Sequence, residues 1–132
     1  MIYDLAIIGG GPAGVSAGVY AARKKLKSVF ITKNWEGQSS VSDGIENWIG
    51  TIKISGMDLA KNLENHLKAY SKDIVDIKQG YWCKNVSKID EGFLIETDKE
   101  SFKAKTILVT TGSSRKKLPA IGADKFEHKG LT

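Results

Sequence analysis

Residues 2–14 decide the fold, and they read Ile2-Tyr3-Asp4-Leu5-Ala6-Ile7-Ile8-Gly9-Gly10-Gly11-Pro12-Ala13-Gly14. The uncharged apolar run over residues 5–8 is typical of a strand that is buried on both faces. A Gly-x-Gly-x-x-Gly turn follows it directly, and residues 13–22 then predict a helix. Pro12 lies near the first turn of this helix, where a missing N–H costs nothing. Since residues 28–32 predict a second strand, the opening of the chain predicts a β-α-β unit.

Each glycine of this turn has a predicted role. Gly9 makes the tight turn, Gly11 lets the backbone approach a pyrophosphate, and Gly14 lets the helix pack close to the strand. The N–H groups and the dipole at the start of the helix favour a diphosphate. Because a strand, a helix and a second strand accompany the glycines, the pattern predicts a dinucleotide-binding turn. The alternative is a glycine-rich turn that joins a strand to a helix and binds nothing.

The composition is that of a single globular domain. The chain has 132 residues, of which 41% are hydrophobic and 27% are charged. No apolar run approaches the roughly 20 residues of a membrane span, and Met1 leads directly into a strand rather than into a signal peptide. The single cysteine, Cys83, excludes an internal disulfide and fits a cytoplasmic location.

Charge and histidine content favour neither a nucleic-acid site nor a metal site. The net charge of +5 comes from lysines that are spread along the chain, and we interpret them as a solvated surface. The two histidines, His66 and His128, lack a partner at metal-ligand spacing. No nucleophile and base are paired in the way that hydrolysis requires, so we predict no catalytic residue of that kind.

The rest of the chain predicts an α/β fold in which a β-meander replaces a crossover helix. A long loop over residues 33–55 leads to a capping box at Ser55-Gly56-Met57-Asp58. The helix that follows carries an apolar stripe of Leu59, Leu63, Leu67 and Tyr70. Strands are then predicted over 74–78, 82–89, 93–97 and 101–104, and a further buried parallel strand over 106–111.

Five short motifs occur in the order and register of one known family. They are Gly9-Gly10-Gly11-Pro12-Ala13-Gly14, Glu36-Gly37-Gln38, Glu46-Asn47-Trp48-Ile49-Gly50, Thr110-Thr111-Gly112 and His128-Lys129-Gly130-Leu131-Thr132. Over its whole length the chain resembles the N-terminal part of the thioredoxin reductase family, the low-molecular-weight branch of the FAD-dependent pyridine nucleotide–disulfide oxidoreductases. The resemblance implies a Rossmann-like FAD-binding domain, a parallel sheet with an antiparallel β-meander crossover, incomplete relative to the family.

The resemblance also implies which residues surround FAD. The pyrophosphate would lie against the turn residues Gly9, Gly10, Gly11, Pro12, Ala13 and Gly14. Thr32 stands where many Rossmann proteins hold the adenosine ribose with an acidic residue. The other implied contacts are Gly37, Gln38 and Asn47 towards the flavin, the Val86 backbone at the adenine, and Thr111 and Gly112 at the diphosphate or ribityl chain. For Trp35 and Trp48 two interpretations stay open, a flavin pocket or a cover for the core, while Cys83 is interpreted as structural.

For the whole protein the resemblance implies hydride transfer from NADPH to FAD, and then electron transfer to a disulfide or another acceptor. Residues 1–112 would be the FAD-binding segment, and residues 113–132 a linker and the truncated start of an NADPH-binding domain. This chain alone is therefore expected to lack an NADPH site and a redox cysteine pair, and to be inactive. Three origins stay open: a fragment cut from a full reductase by proteolysis or by cloning, a truncated gene product, and a split subunit.

The alternative function is a stand-alone nucleotide-binding or interaction module without turnover. In either case the predicted strand 106–111 would lose its outer neighbour, and an apolar edge strand tends to pair with other chains. A second copy, a partner chain or the tail after Gly112 would cover it. The full-length relatives imply a homodimer.

Overall fold

The computed structural model describes residues 1–113 and 119–126, and its elements follow the predicted order. The strands are β1 (Ile2–Ile8), β2 (Ser28–Thr32), β3 (Val75–Gln79), β4 (Cys83–Ile89), β5 (Gly92–Thr97) and β6 (Ser101–Val109). The helices are α1 (Pro12–Arg23), α2 (Gly56–Ser71) and α3 (Ala123–Phe126), and a 3₁₀ turn covers Gln38–Val41. The predicted motif at 128–132 lies outside the described residues.

The strands form one six-stranded sheet in the order β3-β2-β1-β6-β5-β4. β1 pairs in parallel with β2 on one side and with β6 on the other, and β3 continues the parallel part next to β2. β4 and β5 pair antiparallel with their neighbours and form the predicted meander. The α/β prediction is therefore confirmed. The strand order switches between β1 and β6, since β2 and β3 follow on one side of β1 and the later strands lie on the other. Open α/β sheets bind their ligands at such a switch point.

The prediction of two separate strands at the end of the meander is wrong. The structure has one continuous strand, β6, which pairs antiparallel with β5 as far as Phe93↔Ala104 and parallel with β1 from Lys103 to Val109. The residue between the two predicted strands, Lys105, is exposed and its Nζ lies 2.7 Å from Asp4 Oδ1. The strand therefore passes it without interruption, because a lysine on the outer face of a strand needs no burial.

The second half of β6 is also less buried than predicted. Leu108 is 41% exposed and Val109 is 58% exposed. Because the pairing with β5 stops at Ala104, β1 is the strand that pairs with this half among the described residues. The outer edge over residues 105–109 thus has the open character that the sequence predicted.

The sheet separates two hydrophobic clusters. On the helix side, residues of β1, β2 and β3 pack against α1 and α2; the buried members are Ile7, Val15, Val19, Ala21, Ala22, Phe30, Trp35, Leu67 and Val75. On the meander side the buried members are Tyr3, Ala6, Ile8, Val29, Ile31, Ile95, Phe102 and Ala104. Neighbouring residues of β1 and β2 alternate between the two clusters, as the period of two in a strand requires. This is why the sequence of both strands is almost continuously apolar.

At the start of α2, Ser55 is the N-cap residue, but Asp58 bonds back to the Ser55 hydroxyl and not to its backbone N–H as in a full capping box. The Asp58 N–H donates to Ser55 Oγ at 3.1 Å, and that hydroxyl donates to Asp58 Oδ2 at 2.6 Å. Leu59 and Leu67 are buried, but Tyr70 is 45% exposed and so is not part of the buried stripe. No helix in the described ranges has the length and the apolar character needed to cross a membrane.

Candidate functional site

A cavity of about 840 Å³ opens at the carboxyl ends of β1, β2 and β6. Its size lies within the roughly 300–1,000 Å³ of small-molecule sites. Five segments of the chain form its wall, namely residues 8–13, 31–34, 36–40, 81–83 and 110–113. The cavity therefore lies where the strand order switches between β1 and β6, which is the position that the glycine turn predicted.

Close packing of the protein itself requires three glycines of the turn, Gly9, Gly10 and Gly14; a Cβ on Gly10 would lie 2.2 Å from Thr32 Oγ1. Gly9 has φ of +122°, and a Cβ there would lie 2.3 Å from the carbonyl oxygen of Thr110. A Cβ on Gly14 would lie 2.0 Å from the carbonyl oxygen of Gly9. The contacts at Gly9 and Gly14 are far inside van der Waals range, so α1 can start this close to β1 and β6 only with glycine at these positions.

Gly11 is different, because the fold gives no reason for the missing side chain. Its backbone, with φ of −75° and ψ of −179°, is extended and open to any residue. A Cβ there would meet no atom of the described residues within 4 Å. Gly37 lies beside Gly11 with φ of −106°, and its Cβ would lie 3.8 Å from Gly11 Cα, an ordinary van der Waals contact. The two glycines are thus neighbours on the cavity wall, and the fold itself forbids a side chain at neither of them.

The N-terminus of α1, with the partial positive charge of the helix dipole, lies on the wall of this cavity. Gly11 is the N-cap residue, no side chain caps the helix, and the first turn contains no acidic residue. The first intrahelical bond runs from the Val15 N–H to the carbonyl of Gly11 at 3.0 Å. The N–H groups ahead of it and the positive end of the helix dipole favour an anion such as a diphosphate.

Thr32 ends β2 on the cavity wall and is buried, with 4% of its surface exposed. Its Oγ1 donates to the carbonyl of Asn34, and its own carbonyl accepts from the N–H groups of Gly80 and Tyr81 at 2.8 and 3.2 Å. The Thr32 hydroxyl proton is donated to Asn34, but the oxygen can still accept a hydrogen bond from a sugar hydroxyl.

On the opposite wall, the segment after β6 is joined to the turn and to the 3₁₀ segment. Thr110 Oγ1 donates to the carbonyl of Ile8 at 3.0 Å. Gln38 Nε2 donates to the carbonyl of Ser113 at 3.2 Å. These contacts place Gln38, Thr111 and Gly112 together on one side of the cavity, where they are exposed to whatever occupies it.

Most of the predicted contact residues line this one cavity, on its different sides. They are Gly9, Gly10, Gly11, Pro12, Ala13, Thr32, Gly37, Gln38, Thr111 and Gly112, while Gly14 lies behind the turn. Asn47 and Val86 do not line the cavity. Asn47 is exposed in the loop between the 3₁₀ turn and α2, and Val86 is half-buried in β4, where it packs against the meander-side cluster.

The two tryptophans left open by the sequence belong elsewhere. Trp35 is buried in the helix-side cluster and stacks on Phe30 with ring centroids 5.4 Å apart. Its Nε1 is buried without a hydrogen-bond partner among the described residues. Trp48 is 37% exposed and does not line the cavity. For Trp35 the structure therefore favours the interpretation as a cover for the core.

The residues of the cavity wall that were not predicted as contacts include Lys33 and the run Tyr81, Trp82 and Cys83. The signal that could have found Tyr81, Trp82 and Cys83 is the topology of the sheet. β3 is a parallel strand, so the residues that follow it reach the same edge of the sheet as the ends of β1 and β2. Cys83 is half-buried, and this burial raises the pKa of its thiol, so it stays protonated at neutral pH.

Comparison with protein families matches residues 3–132 to the family described as pyridine nucleotide-disulphide oxidoreductase. The F subunit of the Staphylococcus epidermidis alkyl hydroperoxide reductase is 33% identical over 130 residues, which are 98% of this chain and 25% of that protein. A Bacillus subtilis protein named NADH dehydrogenase is 33% identical over 132 residues, again 98% of this chain and 25% of the relative. The chain thus spans about a quarter of the curated relatives that it matches.

The fold also matches solved thioredoxin reductases. The T. acidophilum enzyme has a TM-score of 0.84 at 33% identity, and the Lactococcus lactis enzyme has a TM-score of 0.86 at 28% identity. Each match covers 97% of this chain and 41% of the solved chain. The architecture is that of the Rossmann-like FAD-binding domain of thioredoxin reductases. The chain belongs to the pyridine nucleotide–disulphide oxidoreductase family, whose members are FAD-dependent flavoproteins.

Proposed function

We propose that this chain is the FAD-binding portion of a flavin-dependent oxidoreductase of the thioredoxin reductase type, with residues 1–112 as the binding segment. The observation that carries the proposal is the free space beside Gly11. The glycine lies at the uncapped N-terminus of α1, needs no special backbone angle and touches nothing that would forbid a side chain. A pyrophosphate that approaches the helix N-terminus needs this space.

The residues around the cavity divide according to the parts of the dinucleotide. The diphosphate lies against the N-terminus of α1, beside Gly11. The adenosine ribose lies at the end of β2, where the Thr32 hydroxyl accepts from a sugar hydroxyl. The ribityl chain and flavin extend to the other side, where Gln38, Thr111 and Gly112 lie. The amide of Gln38 both donates and accepts, which suits the mixed edge of a flavin ring.

FAD, when bound, supplies the capacity to accept a hydride and to pass electrons on. The chain's own contribution is to bind the cofactor, to orient it and to shield the diphosphate from water. It contains one cysteine, so a disulfide cannot form within it. We therefore propose that the binding of NADPH and the transfer of electrons to a disulfide or another acceptor use residues other than these 132. Segment 113–132 is proposed to connect to them.

The second candidate function is a nucleotide-binding or interaction module without turnover. The observation that favours it is the open edge of β6, where Leu108 and Val109 are 41% and 58% exposed. Such an edge accepts a further strand, which either a longer form of this chain or a second polypeptide supplies. An interaction module would change its oligomeric state with that partner whether or not FAD is present.

The test of the main proposal is calorimetric titration of the purified chain with FAD, together with its visible absorption spectrum. We expect saturable heat and a flavin spectrum that stays with the protein after gel filtration. A chain that takes up no flavin, gives no heat with FAD and still shows a folded circular dichroism spectrum contradicts the proposal. It would leave the interaction module as the function to pursue.

A further inference from the structure

The 3₁₀ turn at Gln38–Val41 contributes Gln38, Ser39 and Ser40 to the cavity wall. Within the turn, the N–H and the hydroxyl of Ser40 both donate to the carbonyl of Gly37, at 3.0 and 2.7 Å. These bonds shape the turn but do not attach it to the rest of the fold. A short 3₁₀ segment therefore needs support from another element if its side chains are to keep one position.

The start of α2 gives this support, because it packs directly on the backbone of the turn. Gly56, the first residue of the helix, is buried, and its N–H donates to the carbonyl of Ser42 at 2.9 Å. A Cβ on Gly56 would lie 1.8 Å from the carbonyl oxygen of Ser39 and 2.9 Å from Ser40 Cα. Both are backbone atoms, so a side chain at residue 56 would push the turn away from the helix.

The helix that carries Gly56 is itself fixed to the core. Ser55 caps its first turn, and Leu59 and Leu67 are buried. Where α2 crosses α1, the helices are so close that a Cβ on Gly18 would lie 2.8 Å from Leu67 Cδ1. The part of the cavity wall that belongs to the 3₁₀ turn thus rests on an anchored helix.

Gln38 is the side chain whose position depends on this contact. Its Nε2 donates to the carbonyl of Ser113 at 3.2 Å. An amide has two N–H donors and an acceptor oxygen, so one N–H and the oxygen of Gln38 stay available for a ligand. Hydrogen bonds weaken steeply when their distance or angle is wrong. The backbone beside Gln38, which Gly56 touches, therefore controls how well this amide can bind.

We infer that Gly56 is a positioning residue for the flavin end of the site. By letting α2 meet the 3₁₀ turn backbone to backbone, it sets the place of Gln38, although Gly56 itself does not line the cavity. The inference rests on the proposed function. It predicts that Gly56 affects the binding of the flavin part of the dinucleotide and leaves the diphosphate at α1 and the ribose at β2 unaffected.

The test compares FAD with 5′-ADP, which carries the adenine, ribose and diphosphate without the flavin. In calorimetric titrations, Gly56→Ala should weaken FAD binding roughly 5- to 100-fold, the effect of misplacing two hydrogen bonds, and should leave ADP affinity within about two-fold. Gly18→Ala is the matched control, because it forces a Cβ against the other part of α2, at Leu67. Both substitutions should lower the melting temperature, but Gly18→Ala should leave the affinities for FAD and ADP unchanged.

A double-mutant cycle gives a readout that a general loosening of the fold would not produce. Gln38→Ala removes the amide of an exposed side chain, so the chain should stay folded and lose affinity for FAD alone. Because Gly56 acts through Gln38, Gly56→Ala should cost little further FAD affinity when Gln38 is already alanine. The cycle uses FAD only, so it decides the inference whatever the affinity for ADP.

Four results overturn the inference while FAD binding by the wild type keeps the proposed function. They are wild-type FAD affinity in a folded Gly56→Ala chain, equal losses of FAD and ADP affinity in that chain, fully independent losses in the double variant, and wild-type FAD affinity in Gln38→Ala. The last result decides even where Gly56→Ala does not fold. A folded wild type that binds neither FAD nor ADP overturns the proposed function and this inference together.

Discussion

Replacing Gly11 by threonine should separate cofactor binding from folding. The backbone of Gly11 is extended, and a Cβ meets no described atom within 4 Å, so the free protein accepts the side chain without strain. Threonine and glycine are about equal as N-cap residues, and replacing a glycine reduces the entropy of the unfolded chain by about 0.4–1 kcal/mol. The melting temperature should therefore stay constant or rise by up to about 4 °C.

The same side chain should block the diphosphate. Its Cβ stands at the N-terminus of α1 on the cavity wall, in a space with no described atom within 4 Å. A phosphate kept out of this space loses at least one charge-assisted hydrogen bond, which contributes about 1.5–3 kcal/mol. FAD affinity should therefore fall by roughly 10- to 100-fold.

The assay is calorimetric titration with FAD alongside differential scanning calorimetry without it. Gly44→Thr is the matched control, because Gly44 is away from the cavity and a Cβ there meets the flexible end of the Lys53 side chain. We expect wild-type FAD affinity for the control. A stable Gly11→Thr chain that binds FAD as tightly as the wild type would refute the assignment of the diphosphate, and a melting temperature several degrees lower would refute the argument that the fold does not need this glycine.

Three further substitutions test the structure around this site. Gly14→Ala forces a Cβ to within 2.0 Å of the Gly9 carbonyl oxygen, so it should lower the unfolding free energy by about 1–3 kcal/mol in denaturant titrations, besides weakening FAD binding. Burial and a hydrogen bond to Asp76 raise the pKa of Tyr3 to about 12. Because the tyrosine hydroxyl of the unfolded chain ionises near pH 10, the free energy of unfolding of the wild type should fall by about 2–3 kcal/mol more than that of Tyr3→Phe between pH 10 and 12. A hydrogen bond from Lys68 lowers the pKa of Glu64. The free energy of unfolding should therefore be about 0.5–1 kcal/mol higher for the wild type than for Glu64→Gln at pH 7, and this difference should shrink as the pH falls from about 5 to about 3.

The sequence predicted the elements whose signals are local. The apolar run of β1, the glycine turn and the N-cap at Ser55 each depend on neighbouring residues, and each lies where its pattern indicates. The continuous β6 was not predictable in this way. Residues 101–104 pair with β5 and residues 103–109 pair with β1, so the partners of the strand on either side of Lys105 are about 10 and 100 residues away. The break predicted at residue 105 is absent because long-range pairing decides the extent of a strand.

The candidate site shows the same limit. The residues of the glycine turn and Thr32 follow from one β-α-β unit, which a short stretch of sequence reveals. Trp82 reaches the cavity because β3 is parallel to β2 and because Asp98, in the turn before β6, holds its backbone. Neither condition has a pattern in the residues beside Trp82. The register of the meander decides equally that Val86 packs into the core and away from the cavity.

The glycines around the cavity bear on whether the turn binds a ligand at all. Gly9, Gly10 and Gly14 are needed by the protein, since a Cβ at each would lie within 2.3 Å of another atom of the chain. A turn that merely joins a strand to a helix accounts for these three. It does not account for Gly11 and Gly37, whose backbones are ordinary and whose side-chain positions are free. Glycine destabilises a fold through the entropy of the unfolded chain wherever another residue would fit, and a bound diphosphate that needs the space is a physical reason to keep it there.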